Sequence, residues 1–140
     1  MPIWKKPLTL ELLHSAHANT AIAHLGIEIT EIGDDFLRGR VPVDERTRQP
    51  YGLLHGGVSV VLAETLGSMG AFYSCPAGQR AVGLDINANH LRSVTSGYVY
   101  GTVTPVHVGQ RTHVWNIQIV DEAARPVCIS RLTVMVVERK

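Results

Sequence analysis

Glu64 stands inside an otherwise uncharged stretch, Gly56 to Ser68, that reads GGVSVVLAETLGS. If the stretch is helical, Ser68 lies at i+4 and shares the face of Glu64. His55-Gly56-Gly57 opens the stretch, where the unpaired N–H groups and dipole of a helix start suit an anion or an oxyanion. Gln49, on the polar segment before it, adds a neutral amide donor. A helical glutamate is ordinarily a solvated or ion-paired surface group. A hydroxyl, a helix start and an amide set this one apart.

Gly56 and Glu64 are eight positions apart, about 12 Å along a helix axis. One small reacting group cannot touch both within a single helix. If both serve one site, they come from two copies of the chain with antiparallel helices across a two-fold axis, which predicts an obligate homodimer. A carboxylate, a hydroxyl and a helix N-terminus suit thioester hydrolysis. The leaving thiol has a pKa near 8.5 and needs no strong general acid, by order of magnitude. A backbone N–H at the helix start can take the charge that develops on the carbonyl oxygen. Glu64 then serves as nucleophile or as general base on water; both remain open.

These groups need a scaffold. Thr9 is placed to N-cap a short helix, with Glu11 in its first turn and Leu8 and Leu13 at staple spacing. TAIAHLG is a second helical piece ending at Gly26. IEITEI alternates, GDD turns and FLRGRVPV follows, which reads as a β-hairpin. Asp44 to Leu54 is a polar loop, and the long helix runs from about Gly56 to Tyr73. Four extended runs follow: RAVGLDINAN, GYVYGTVTPVHV, THVWNIQIVD and PVCISRLTVMVV. SVTSG, VGQR and DEAARP separate the four.

One long helix and about six strands make an α+β protein with the sheet wrapped on the helix. Gly57, Gly67 and Gly70 within the helix imply close approach of another backbone, since each costs about 1 kcal/mol relative to alanine. The last strand is apolar on both faces: Cys128, Leu132, Val134 and Val136 on one, Val127, Ile129, Met135 and Val137 on the other. A wet second face is the norm for an antiparallel sheet, so this one is expected to be covered by self-association.

The chain of 140 residues fits a single domain over 1–140. A net charge of +1 gives no electrostatic case for nucleic acid. MPIWKKPLTLELLHS lacks the apolar run of a signal peptide, and GGVSVVLAETLGSMGAFYSC is a poor span with its central glutamate. A soluble cytoplasmic protein without membrane partner is expected. Cys75 and Cys128 fit no metal or redox spacing and imply a reducing compartment. The seven histidines show no convincing ligand spacing, so neither metal nor cofactor is expected. His14 and His17, at i and i+3 on the first helix, read as surface residues.

QPYGLLHGGVSVVLAETLGS, GLDINANHLRSV and TPVHVGQ together closely resemble the hotdog-fold acyl-CoA thioesterases, nearest in type to the bacterial 1,4-dihydroxy-2-naphthoyl-CoA and enterobactin-proofreading enzymes. The likeness runs from Trp4 to about Val137, and the combined pattern is far more specific than a lone HGG. It implies a hotdog fold, a helix wrapped by an antiparallel sheet, paired into dimers and usually tetramers. It matches Glu64 to the catalytic carboxylate, Gly56 to the backbone donor on the thioester oxygen and Gln49 to the side chain that helps polarise it. His55 matches an active-site histidine and Ser68 the hydroxyl beside the attacking water. His90, Arg92 and Ser93 match one segment on the CoA arm, and His107 to Thr112, with Gly109 and Arg111, a second. Met69 matches a position lining the acyl pocket.

The resemblance thus implies an acyl-CoA substrate with an aromatic or bulky acyl group, and a homo-oligomer. YSCPAGQRA and QRTHV depart from the pattern and bear on the acyl or nucleotide pocket. Three rivals differ in what they require. A hydratase wants an Asp/His pair, and only Asp85 and His90 offer one, on the wrong element. A non-catalytic acyl-CoA sensor would bind without turnover. An interaction protein would use Glu64 as an interface ion pair. A thioesterase acting on carrier-protein thioesters keeps the reaction and changes only the carrier.

Overall fold

The computed structural model describes residues 1–139. Two short helices come first, α1 (Leu10–His17) and α2 (Ala21–His24). Thr9 caps α1, its side chain accepting from the Leu12 N–H at 3.1 Å. Leu13 is buried with Leu8 packed on the core beside it. Gly26, at φ +79°, ends the second piece in the left-handed region that glycine enters without steric cost.

The strands are β1 (Glu28–Ile32), β2 (Leu37–Pro42), β3 (Gln79–His90), β4 (Tyr98–Val108), β5 (Thr112–Val120) and β6 (Pro126–Glu138), with helix α3 (Gly56–Ser74) between β2 and β3. The sheet is antiparallel throughout, in the order β1-β2-β4-β5-β6-β3. This is the hotdog arrangement: a single long helix held in a curved sheet. Trp115, Ile117 and Ile119 of β5 and Leu132 and Val134 of β6 are fully buried together with Leu62 and Leu66 of α3. The strand period of two and the helical period meet in one core.

The interior glycines of α3 differ from expectation in what they face. A methyl group at Gly67 would sit 2.5 Å from Leu132 Cδ2, and one at Gly70 3.0 Å from Trp115 Cζ3. The close neighbours are bulky side chains from the sheet, not another backbone. Large residues on the strands fill notches in the helix, and alanine there would trade about 1 kcal/mol of helix propensity against overpacking of about 1–3 kcal/mol.

Strand β6 only partly matches its two-faced reading. Cys128, Leu132 and Val134 are buried, and so is Val127, whereas Ile129 and Met135 are 43% and 41% exposed. Exposed Arg131 lies between them on the outer face. Strand β3 occupies one end of the sheet, pairs among the described residues with β6 alone and is exposed over most of its length. Its apolar Val82 and Leu84 are 38% and 55% exposed. Such a long unpaired edge is a template for another strand.

Candidate active site

The loop before α3 is built to hold Gln49. The Gln49 N–H donates to the Leu53 carbonyl at 2.7 Å, and Gly52, at φ +82°, makes the turn between them. The Gln49 side-chain oxygen accepts from the N–H groups of Tyr51 and Leu53. With its oxygen occupied, the amide NH2 is the end left to donate outward. Leu54 and His55 then tie the loop down by donating to the carbonyls of Val94 and Thr47, each at 2.8 Å.

His55 is the N-cap of α3. Its Nδ1 accepts from the Gly57 N–H at 2.8 Å, so that nitrogen is unprotonated. The His55 carbonyl takes the N–H groups of Val58 and Ser59. Among the described residues the Gly56 N–H donates to no protein group, which leaves one helix-start donor open. The two glycines make room for different things. A methyl group on Gly57 would lie 3.0 Å from the capping imidazole, and one on Gly56 would lie 3.0 Å from His90 Nε2.

Glu64 is half-buried in the middle of α3. A methyl group on Gly83 of β3 would lie 2.9 Å from its Oε2, so the carboxylate rests against the bare backbone of the edge strand. Glu64, Ser68 and Met69 line a cavity of about 460 Å³ with residues of α1. Gln49, Gly56, His90, Arg92 and Ser93 line a second, of about 410 Å³. Gly109 and Arg111 line a third, of about 530 Å³, with Lys5, Gln79 and His113. His107 reaches this end of β4, its Nε2 standing 2.6 Å from where a Gly109 methyl would be. A single chain therefore brings the expected residues together in groups and keeps the groups apart. The carboxylate and the open donor do not share a cavity.

Two residues to which the sequence assigns no role in the site have definite places. His17 lines the Glu64 cavity, so the surface reading holds for His14 alone. The spacing carried a signal: His17 is i+4 from Leu13, which is buried against the core. Lys6, not singled out by any motif, donates from Nζ to the carbonyls of Phe72 (2.6 Å) and Gln79 (2.7 Å), clasping the N-terminal segment to the end of α3. Its Nζ is also 3.1 Å from Cys75 Sγ.

His113 makes stability pH-dependent. It is 1% exposed, and its Nδ1 accepts from Trp115 Nε1 at 3.3 Å. Burial pushes its pKa below the ordinary 6.5; a backbone hydrogen bond at Gly109 opposes this, and nearby His107 and Lys5 reinforce it. The unfolded chain takes up a proton near pH 6.5 while the folded chain resists, so stability is full above that pH and falls below it. His17, also lowered by burial, acts in the same direction. The melting temperature should fall between about pH 7.5 and about pH 5.5, and by less in His113→Asn, which keeps an acceptor for Trp115. Equal falls would remove His113 as the cause.

The described residues include no helix long and apolar enough to cross a membrane. A family model, the thioesterase superfamily, matches residues 51–128. The chain is 50% identical to the 1,4-dihydroxy-2-naphthoyl-CoA hydrolase of Escherichia coli K12, over 94% of this chain and 96% of that one. It is 49% identical to the proofreading thioesterase EntH of Cronobacter turicensis, covering 96% and 98%. A crystal structure of a thioesterase from Haemophilus influenzae superposes with a TM-score of 0.95 at 50% identity, covering 97% and 95%. A mutant thioesterase from Pseudomonas aeruginosa gives 0.95 at 43% identity, covering 97% and 99%.

Proposed function

Since this chain belongs to the thioesterase superfamily and is a thioester hydrolase, we propose that it hydrolyses acyl-CoA thioesters with aromatic or otherwise bulky acyl groups, at sites shared between two subunits. One observation carries the two-subunit reading. Glu64 rests on Gly83 and Gly56 rests on His90, and both supports belong to the same exposed edge strand.

Antiparallel pairing of β3 with its two-fold copy lays Gly83 of one subunit beside His90 of the other. The pairing of β3 with β6 shifts register between Gly83 and Asp85, a bulge at Leu84. With that extra residue absorbed, Gly83 and the partner's His90 both face the helices when Asn87 lies opposite its own copy. Glu64 then meets Gly56 and Gln49 of the other subunit. The Arg111 cavity of one subunit, which includes Gln79, comes alongside Arg92 and Ser93 of its partner.

In this arrangement the acyl group enters the Glu64 cavity beside Ser68 and Met69. Its carbonyl oxygen accepts from the Gly56 N–H and the Gln49 amide of the other subunit. Charge developing on that oxygen is met by donors fixed in advance, one at a helix start whose dipole adds to the effect. His55 positions the donor by capping the helix. In one course Glu64 attacks the carbonyl carbon, the CoA thiolate departs and water hydrolyses the mixed anhydride so formed. In the other, Glu64 takes a proton from water held near Ser68, the water oxygen bonds to the carbonyl carbon and the thiolate departs as the acid forms. His90, Arg92 and Ser93 of one subunit and His107, Gly109 and Arg111 of the other hold the CoA arm, arginine suiting its phosphates. Further pairing of dimers into a homotetramer would cover Ile129 and Met135. A cytoplasmic location accords with such a substrate.

Thiol release from dihydroxynaphthoyl-, benzoyl-, phenylacetyl- and medium-chain acyl-CoA tests the substrate class. The aromatic thioesters should give the highest kcat/KM. Preference for the medium-chain ester would overturn the aromatic reading, and release only from a carrier-protein thioester would replace the CoA reading.

A further inference from the structure

The Glu64 cavity is a trough along one face of α3. Glu64, Ser68 and Phe72 follow one another at i+4, and Tyr73 closes the row about 13 Å from Glu64 along the helix. Leu13 and His17 of α1, with Ile22 of α2, form the opposite wall. Beyond Glu64, Thr65 and Ser68 on the α3 wall, that lining is apolar with two exceptions. The His17 imidazole and the Tyr73 hydroxyl are on half-buried residues, and neither hydrogen-bonds a protein group among the described residues.

We propose that His17 and Tyr73 are the specificity-determining pair of this cavity, selecting acyl groups whose ring carries hydroxyl groups over unsubstituted rings of the same shape. The inference rests on the Glu64 cavity being the acyl site. An acyl ring filling the trough displaces water from both side chains. A bare ring leaves two polar groups buried without partners, whereas a hydroxylated ring supplies them. Burial, and then neighbouring His14, hold His17 below the ordinary imidazole range, and burial raises the Tyr73 phenol. Both are therefore neutral near pH 7. A neutral imidazole accepts at one nitrogen and donates at the other, and a phenol does both, which matches a substrate hydroxyl from either side.

The test compares kcat/KM for 1,4-dihydroxy-2-naphthoyl-CoA and 2-naphthoyl-CoA, which differ only in the two hydroxyls. Wild type should favour the hydroxylated ester by about tenfold or more. Tyr73→Phe and His17→Phe should each shrink that ratio to within about threefold while 2-naphthoyl-CoA turnover stays near wild type, and His17→Gln should recover part of it. An unchanged ratio in both Phe variants overturns the proposal. So does a wild type with no preference, or an equal loss on both esters, which marks a packing role. If His17→Phe fails to fold, Tyr73→Phe, which removes a single oxygen, decides alone. Normal turnover by Glu64→Ala would instead overturn the acyl-site reading on which the pair depends.

Discussion

Replacing Glu64 with alanine is expected to lower kcat on the preferred acyl-CoA by about 10²–10⁴-fold while KM moves only a few-fold. Among the described residues of one chain, no second carboxylate lines the Glu64 cavity. Glu64→Gln should be nearly as damaging, because the amide keeps the shape and neither attacks the carbonyl nor accepts a proton from water. The substitution should leave the fold intact. Glu64 is half-buried, it stands against the open backbone at Gly83, and no ion pair among the described residues involves it. Unaltered turnover in a folded Glu64→Ala protein would remove the mechanism.

The second large effect is a recovery. Gln49→Ala should cost about 10²–10³-fold by deleting a donor to the developing oxyanion. Mixed and reassembled in equal amounts, Glu64→Ala and Gln49→Ala subunits should regain about a quarter of wild-type activity. Half of the dimers then pair one of each kind, and each such dimer carries one doubly damaged site and one intact site. If Glu64 and Gln49 of the same chain formed the site, every site would carry a defect and mixing would restore nothing. The two outcomes differ by far more than assay error.

The fold and the composition of the site were legible because they are written in short-range signals. His55-Gly56-Gly57 marks the start of α3, and the alternation in RAVGLDINAN and THVWNIQIVD marks β3 and β5 to within a residue or two. The eight-residue gap between Gly56 and Glu64 already separates the two groups, and the cavities of a single chain keep them separate. What escaped depends on contacts far apart in sequence. Lys6 meets Phe72 across 66 positions, and no local pattern announces it. Gly67 and Gly70 face Leu132 and Trp115, so their neighbours were misread as backbone when only the sheet could say which side chain would fill each notch. His17 was taken for surface because it follows His14 at i+3 on a short amphipathic helix, although Leu13 four residues earlier pointed inward.

The two ends of the sheet are unlike. Strand β3 offers twelve residues of open edge, whereas β1 has five, carries Glu28 and Glu31 paired to Arg40 and Arg38, and breaks register between Ile29 and Glu31. Charge, shortness and an irregular ladder are how natural sheets refuse added strands. A sheet with one receptive end and one blunt end accepts a single copy of itself and then stops growing. In the proposed arrangement that same receptive end completes the reaction centre. Dilution would then disarm the enzyme without unfolding it, and specific activity would rise with protein concentration until every protomer had found its mate.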